Sequence, residues 1–238
     1  MQTIYNDILK SRSDGEKLMA VLIDPDKVPW NAMELLITRI LESPATHIFV
    51  GGSQVFSDEI DFLVGQLKNC GLPVLIFPGH PSQVSKRANG LLLLSLISGR
   101  NPDYLIGHHV ESALNLKSSG LEIIPTGYIL IDGGNQSAVS RISKTAPLAT
   151  TDVSLITATA VAGEMLGNKL IYLEAGSGAV DPVSTEIIKS VRIHTSLPLI
   201  VGGGLRSKAA VVNAYEAGAD MVVIGTAFEN NIDFFNHD

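Results

Sequence analysis

The stretch KLIYLEAGSG, residues 169–178, joins a nearly continuous apolar run to a carboxylate and two glycines. The same order, an apolar run that ends in glycines, recurs in LPLIVGGG at 197–204 and in ADMVVIGTAF at 219–228. The apolar residues follow one another instead of alternating with polar ones, which is typical of parallel strands buried on both faces. These three stretches therefore predict parallel β-strands whose carboxyl ends carry a glycine-rich turn.

Five further apolar runs precede them along the chain, at 18–26, 47–53, 72–79, 90–98 and 121–132. Segments with helical periodicity separate most of the runs, among them 104–119, 154–166, 183–195 and 207–217. Eight strands that alternate with helices are the pattern of an α/β protein of the (β/α)8 TIM barrel type. Because no low-complexity linker or shift in composition divides the chain, we expect a single domain over residues 1–238.

One strand–helix unit is irregular. Only HPSQVSKRAN, residues 80–89, lies between the third and fourth predicted strands, and this is scant for a crossover helix. The sequence therefore predicts a modified barrel in which the helix after strand 3 is shortened or replaced by a loop.

Capping residues predict where two of the later helices begin. Asp181 followed by Pro182 combines an N-cap residue with a proline in the first helical position. Ser207 is predicted to be the N-cap of the following helix.

Composition excludes several classes of protein. The formal net charge of −7 is unlike that of a nucleic-acid-binding protein, which usually presents a basic face. Cys70 is the only cysteine, so neither an intramolecular disulfide nor a cysteine-based metal cluster can form. The most apolar run, at 90–99, is too short to span a bilayer, and the first residues lack the apolar core of a signal peptide. We therefore expect a soluble, cytoplasmic protein with no transmembrane segment.

Glycines cluster at the predicted carboxyl ends of the last strands, where a (β/α)8 barrel places its chemistry and frequently binds a phosphate. Gly203 and Gly204 follow the predicted strand 7, and Gly225 and Thr226 follow strand 8. Glycine allows several backbone N–H groups to approach one anion. The clusters favour a phosphate site, whereas the alternative is that these glycines only form tight turns.

Glu174 ends the predicted strand 6, beside this phosphate site. A carboxylate there would repel a phosphorylated ligand unless it binds a hydroxyl group or a proton. It therefore suits a ligand that carries both a phosphate and an alcohol, with Glu174 as hydrogen-bond acceptor or general base. The alternative is a carboxylate held in a structural ion pair.

Asp24 and Ser53 are candidate metal ligands. Asp24 lies in LIDPDK at the end of the first strand, and Ser53 closes the neighbouring one. Oxygen ligands of this kind suit Mg²⁺, which also keeps waters and substrate phosphates. The Asp-Pro-Asp sequence is also a common turn signal, so a simple turn is the alternative.

Three other polar residues are considered as ligands of a metal or a phosphate. His108 and His109 are adjacent on a predicted helix and point in different directions, so we expect a partly exposed helical face and no metal site. Arg206 follows the glycines of strand 7, where it would either reach a phosphate or merely precede a helix.

With these residues in view, the chain resembles the geranylgeranylglyceryl phosphate synthase family, including its bacterial relatives of the heptaprenylglyceryl phosphate synthase type. The resemblance covers essentially the whole chain. It is carried by LIDPDK at 22–27, VGGS at 50–53, YLEAGSG at 172–178, VGGGLRS at 201–207 and VIGTAF at 223–228.

The resemblance implies a Mg²⁺-dependent prenyltransferase of lipid biosynthesis on a modified barrel. It would join sn-glycerol 1-phosphate to a long-chain prenyl diphosphate, most simply geranylgeranyl diphosphate, and release diphosphate. The chain would form a homo-oligomer, a dimer or larger. The leucine-rich fourth strand is a candidate lining for the prenyl chain.

The resemblance also implies roles for particular residues. Mg²⁺ would be bound at Asp24 and Ser53, and Glu174 would activate the alcohol. The glycerol phosphate site would comprise Tyr172, Leu173, Glu174, Ala175, Gly176, Ser177, Gly178, Gly203, Gly204, Gly225 and Thr226.

Two other functions compete with this interpretation. A phosphosugar isomerase, epimerase or aldolase would use the same phosphate anchor, but would usually need a Schiff-base lysine or a facing acid/base pair. Lys27, just beyond strand 1, is the only lysine near a strand end. A non-catalytic phospholigand-binding barrel would be expected to have lost Asp24 or Glu174, and both are present.

Overall fold

The protein is a closed barrel of eight parallel strands, which confirms the predicted fold class. The computed structural model describes residues 3–28, 30–52 and 59–235. Each strand pairs with the next along the chain, and β1 also pairs with β8 to close the sheet. The strands are β1 (Leu18–Ile23), β2 (His47–Val50), β3 (Val74–Ile76), β4 (Gly90–Leu96), β5 (Glu122–Leu130), β6 (Leu170–Glu174), β7 (Leu199–Gly202) and β8 (Met221–Ile224).

Helices surround the barrel and cover its sheet. They are α1 (Ile4–Ser13), α2 (Met33–Glu42), α3 (Ile60–Leu67), α4 (His108–Ser119), α5 (Ala138–Ser143), α6 (Val153–Met165), α7 (Thr185–His194), α8 (Lys208–Ala217) and α9 (Thr226–Asn230). Short 3-10 turns occur at Pro25–Lys27, Trp30–Ala32 and Lys68–Cys70, and a π-helical turn at Asp103–Gly107 leads into α4. None of the helices in the described ranges combines the length and apolar character needed to cross a bilayer.

The apolar runs are continuous because alternate strand residues enter two different cores. Phe49 and Tyr172 belong to the core inside the barrel. Their neighbours Ile48 and Leu173 belong to the core between the sheet and the helices. Both faces of each strand are therefore buried, as the sequence pattern predicted.

Helix α1 closes the amino-terminal end of the barrel. Ile4 and Ile8, one helical turn apart, are both buried in the inner core. The Glu122 carboxylate, at the first residue of β5, accepts the N–H groups of Ile4 and Tyr5 at 2.8 and 2.9 Å. A carboxylate at a helix amino terminus satisfies donors that have no partner within the helix.

The predicted loss of a helix after strand 3 is confirmed. Residues 77–89, between β3 and β4, contain no helix. This loop lies at the carboxyl end of β3, on the side of the barrel where α4 follows β4.

The two predicted helix starts differ in outcome. Ser207 is the N-cap of α8, and its hydroxyl accepts the N–H of Ala210 at 3.1 Å. The prediction for Asp181 is wrong: α7 begins at Thr185, and the N-cap is Ser184. Asp181 belongs instead to the loop after β6, whose Val180 N–H donates to the Gly133 carbonyl at 2.8 Å. Long-range packing of this loop overrides the local capping signal.

Candidate active site

A polar cavity of about 330 Å³ opens at the carboxyl ends of the strands. Loops that follow β1, β2, β5, β6, β7 and β8 contribute to its wall. Its lining includes the predicted residues Asp24, Tyr172, Glu174, Ser177, Gly178, Gly203, Gly204, Gly225 and Thr226. The barrel therefore brings most of the residues that were predicted from the sequence together in one place.

Two of the remaining predicted residues have side chains that point away from the cavity. Leu173 and Ala175 are buried in the core between the sheet and the helices. The Ala175 N–H donates to the Gly202 carbonyl at 3.0 Å, so it is also engaged within the protein. The Gly176 N–H is already used, because it donates to Glu174 Oε1 at 2.7 Å.

Glu174 is the last residue of β6, and its side chain is only 7% exposed. Burial raises the pKa of the carboxyl to about 7, although the Gly176 N–H and the neighbouring Tyr172 hydroxyl act in the opposite direction. No cation among the described residues forms an ion pair with it. The carboxyl group is thus poised to exchange a proton near neutral pH.

Tyr172 lies deeper than the sequence suggested. Its ring is fully buried inside the barrel, packed against Phe77 and Tyr128 with centroids 5.4 and 5.2 Å away. Burial, followed by the charge of Glu174, raises the pKa of the phenol well above its ordinary value, so the hydroxyl keeps its proton. It makes no hydrogen bond of standard geometry with any described residue. The phenol therefore forms part of the cavity floor and has a donor to offer.

Close packing between two loops leaves no space for a side chain at Gly203. Its φ of +80° is in the left-handed region, and a Cβ there would lie 2.5 Å from Glu174 Oε1 and 2.7 Å from the Gly176 nitrogen. Gly204 is also left-handed, at +70°, and abuts Pro182. These glycines bring the turn after β7 directly against the loop that carries Glu174.

Gly225 is different, because a Cβ at this position would have ordinary contacts. The nearest atom would be 3.5 Å away, on Leu22. Gly225 is the N-cap of α9, and Thr226 is its first residue. The Thr226 hydroxyl lies 3.3 Å from that of Ser177, which joins the loops after β6 and β8. The structure therefore leaves space around Gly225 on the cavity side.

Asp24 both forms a turn and faces the cavity. Its Oδ1 accepts the Asp26 N–H at 3.1 Å, so the Asp-Pro-Asp turn is formed. Its Oδ2 lies 3.2 Å from Lys27 Nζ, which is also 3.0 Å from Glu229 Oε2. Ser53 lies outside the described residues, and Gly52 directly before it packs against the Asp24 carboxylate.

The donor set at Asp24 fits Mg²⁺ better than a tightly held transition metal. The described residues contain no group of three or more His, Cys, Asp or Glu side chains that could hold a metal ion. Mg²⁺ needs no such cluster, because it is commonly bound by one or two carboxylates together with water and substrate phosphates. One carboxylate at a cavity wall is consistent with that mode.

An apolar cavity of about 100 Å³ adjoins the polar one. The two share Gly52, Phe77, Tyr128 and Val139. The apolar cavity lies between the helix-free loop after β3, strand β4 and helix α4, as residues 78–81, 91–96 and 108–116 in its lining show. Strand β4 thus contributes leucines to an apolar groove.

His108 and His109 are more involved than the sequence suggested, since both line the apolar cavity. The His109 Nε2 atom lies 2.9 Å from the Leu94 carbonyl oxygen. The His108 ring meets Tyr104 edge-on, with centroids 4.9 Å apart. His109 therefore joins α4 to β4, whereas His108 packs on the π-helical turn before α4.

Two charged residues of the cavity wall were not predicted from the sequence, and the role of a third was left open. Arg141 on α5 and Glu229 on α9 belong to short helices that carry no periodic signal. The role of Arg206 was left open. It precedes α8, lines the cavity and donates to the Gly178 carbonyl at 2.9 Å, and its contact with a phosphate stays a prediction. Only the barrel geometry places these side chains together.

Lys27 does not suit Schiff-base chemistry. Burial alone would lower the pKa of its ammonium, but the hydrogen bonds and charges of Glu229 and Asp24 outweigh that effect and leave the pKa raised. A Schiff-base lysine needs a neutral amine. It is the only lysine among the described residues that line the cavity, so the aldolase alternative gains no support.

Comparisons with known proteins agree with this geometry. Residues 6–237 match the sequence profile of the PcrB family. A geranylgeranylglyceryl phosphate synthase from Flavobacterium johnsoniae is 55% identical over 237 residues, which cover 99% of this chain and 98% of the relative. One from Korarchaeum cryptofilum is 38% identical over 225 residues, covering 94% and 92%.

A solved structure shows the same fold. It is the crystal structure of (S)-3-O-geranylgeranylglyceryl phosphate synthase from Thermoplasma acidophilum in complex with its substrate sn-glycerol-1-phosphate. The TM-score is 0.92 at 31% identity, and the match covers 99% of this chain and 95% of that one. Because these matches span nearly the whole chain, the protein belongs to the PcrB family and is an enzyme of the transferase class, as its motifs predicted.

Proposed function

We propose that the protein is a prenyltransferase that joins sn-glycerol 1-phosphate to a long-chain prenyl diphosphate, most simply geranylgeranyl diphosphate. The products are geranylgeranylglyceryl phosphate, an ether lipid precursor, and diphosphate. The observation that carries this proposal is the junction of two cavities, one polar with a buried carboxylate and one apolar. Transfer of an apolar chain to a charged alcohol requires both environments side by side.

The acceptor would occupy the polar cavity. Its phosphate would approach the backbone at Gly203, Gly204 and Gly225 and the hydroxyls of Ser177 and Thr226, which line the cavity. The complex of the Thermoplasma acidophilum relative with sn-glycerol-1-phosphate supports glycerol phosphate as the acceptor. Backbone N–H groups near a phosphate bind it without adding a mobile side chain.

Glu174 would act as the base. The glycerol hydroxyl oxygen bonds to the first carbon of the prenyl chain while the bond from that carbon to the diphosphate oxygen breaks. The hydroxyl proton passes to Glu174, and the electron pair of the broken bond leaves with diphosphate. A carboxyl with a pKa of about 7 is available as carboxylate at neutral pH and is basic enough to accept that proton.

Asp24, and Ser53 outside the described residues, would hold Mg²⁺. The ion would supply positive charge for the departing diphosphate. The positions of Asp24 and Gly52 on the cavity wall are compatible with that role, since both lie where β1 and β2 end.

The prenyl chain would lie in the apolar groove. Phe77, Tyr128 and Val139 border both cavities, so the reacting carbon would sit beside them. The helix-free loop after β3 would form one wall of the groove around that chain.

A direct assay tests the proposal. The protein would be incubated with Mg²⁺, radiolabelled sn-glycerol 1-phosphate and prenyl diphosphates of graded length, and label in an organic extract would be counted. We expect extractable label with one or more prenyl diphosphates, no label with excess chelator, and much less with sn-glycerol 3-phosphate. Failure of every prenyl diphosphate to give extractable label would contradict the proposal.

A further inference from the structure

Two carboxylates share one ammonium group at the cavity wall. Lys27 Nζ lies 3.2 Å from Asp24 Oδ2 and 3.0 Å from Glu229 Oε2. Asp24 and Lys27 follow β1, whereas Glu229 is on α9 after β8. Since β1 and β8 are neighbours in the sheet, the barrel itself brings the three groups together.

The ammonium is the accessible member of this triad. The Lys27 side chain is 50% exposed, whereas those of Asp24 and Glu229 are 16% and 12% exposed. All three residues line the polar cavity. An anion that enters from the cavity would therefore meet the cation before it meets the carboxylates.

Lys27 is also the cation most closely associated with the candidate metal ligand. The other cations of the cavity wall, Arg141 and Arg206, follow β5 and β7, and Arg206 is already bonded to the Gly178 carbonyl. Of the three cations of the described cavity wall, only Lys27 forms an ion pair with Asp24. A diphosphate bound at a metal on Asp24 would thus lie next to Lys27.

The net charge of this triad changes sign when a divalent cation binds to it. Two carboxylates and one ammonium sum to one negative charge, which repels an anion. A divalent cation at Asp24 would make the sum one positive charge. That cation would compete with Lys27 for Asp24, and Glu229 would then be the remaining partner that keeps the ammonium at the wall.

We propose that Lys27 binds the diphosphate of the prenyl substrate, and that Glu229 is a positioning residue that holds the Lys27 ammonium in the cavity when Asp24 binds the metal. This inference rests on the proposed function of the same site. It assigns a role to two residues that lie outside the glycerol phosphate loops.

The test measures binding of inorganic pyrophosphate, the leaving group alone, by calorimetry in saturating Mg²⁺. Lys27→Gln should weaken pyrophosphate binding about tenfold or more, as expected for loss of a charge-assisted hydrogen bond. Glu229→Gln should weaken it less, and should also raise the Mg²⁺ concentration needed for half-maximal pyrophosphate binding. Affinity for sn-glycerol 1-phosphate should stay within about twofold of the wild-type value in both variants.

The double variant separates positioning from direct binding. If Glu229 acts through Lys27, the variant with both substitutions should bind pyrophosphate no more weakly than Lys27→Gln alone. Additive losses would show that Glu229 acts independently, and would overturn its positioning role.

Arg39→Gln is the matched control. Arg39 also links two carboxylates, lying 2.7 Å from Glu42 and 2.6 Å from Asp233, but it lines neither cavity. Its loss should leave pyrophosphate affinity unchanged, and thermal unfolding would report any structural cost in all variants. Wild-type pyrophosphate affinity in Lys27→Gln would overturn this inference even if prenyl transfer occurs. Absence of prenyl transfer in the wild type would contradict the proposed function instead.

Discussion

Glu174 is the residue on which the proposed chemistry depends most directly. The sequence predicted its position at a strand end, and the structure adds what no pattern could give: its burial, its bond to the Gly176 N–H and its raised pKa. Its burial depends on Gly203, directly after β7, whose close approach covers the carboxylate. The burial, and with it the raised pKa, therefore depends on a contact between loops that are distant in sequence, whereas the bond to Gly176 is local.

Glu174→Gln should lower kcat by about 10²–10⁴, the usual contribution of a general base, with a modest change in KM. The amide keeps the shape and can still accept the Gly176 N–H, but it cannot take a proton. In the wild type, kcat/KM for the acceptor should fall as the pH drops below about 7, because the carboxyl is then protonated. Steady-state kinetics across pH would check both points; wild-type kcat in the variant would rule out the base.

The same substitution should stabilise the protein at alkaline pH. An exposed Glu carboxyl in the unfolded chain has a pKa of about 4.3, whereas the folded value is about 7. Between these values the folded state retains a proton that the unfolded state has lost, so the free energy of unfolding decreases as pH rises through this window. Glu174→Gln removes that penalty.

Thermal unfolding at two pH values would measure this effect. The variant's Tm should exceed that of the wild type at about pH 8, and the difference should shrink towards about pH 5. A Tm difference that does not depend on pH would show that the carboxyl is not perturbed as described.

Among the elements, the strands were predictable and the short helices were not. Each strand is buried on both faces, so its apolar run is visible in the sequence without knowledge of its neighbours. Helices α5 and α9 have six and five residues, too few to be stable or periodic by themselves. Their Arg141 and Glu229 therefore escaped prediction. Helix α1 could have been predicted from its apolar pair, Ile4 and Ile8, which lie one turn apart. Charged residues of both signs in the same segment obscured this pattern.

The turns after β7 and β8 should respond differently to the same substitution. Gly203→Ala should destabilise the protein by roughly 1–3 kcal/mol or more, because it combines left-handed strain with a collision at Glu174. Gly225→Ala should leave the Tm nearly unchanged, since its Cβ has space. It should still raise the KM for sn-glycerol 1-phosphate if the phosphate approaches that backbone. Thermal unfolding and kinetics on the pair would check this, and an unaltered KM in Gly225→Ala would argue against a phosphate there.

At the scale of the whole molecule, an apolar stripe remains on the outer surface. Ile106, Val110 and Leu114 recur every four residues along the π-helical turn and α4, and are 58%, 68% and 83% exposed. Such a stripe is the expected form of a helix face that packs against another copy. The homo-oligomer that the family resemblance implies stays a prediction, and this stripe is a surface on which it can be tested.

If the stripe forms the contact, Leu114→Glu should shift the protein towards the monomer in sedimentation equilibrium, because a charge within an apolar contact is costly to bury. Ile193→Glu is a matched control, since Ile193 is similarly exposed, at 79%, but lies on α7. Equal effects of the two substitutions, or a monomeric wild type, would remove α4 from any interface.

The helix-free loop between β3 and β4 has a consequence for how a lipid product would leave the proposed site. Helix α1 covers the amino-terminal end of the barrel, whereas the polar cavity opens at the carboxyl ends of the strands. With an ordinary helix in place of this loop, a long tail would have to pass back through the charged opening of the polar cavity. If the tail lies in the apolar groove, as proposed, the helix-free loop would give it a flank of its own, through which the amphiphile would pass sideways into a bilayer with its charged head leaving last.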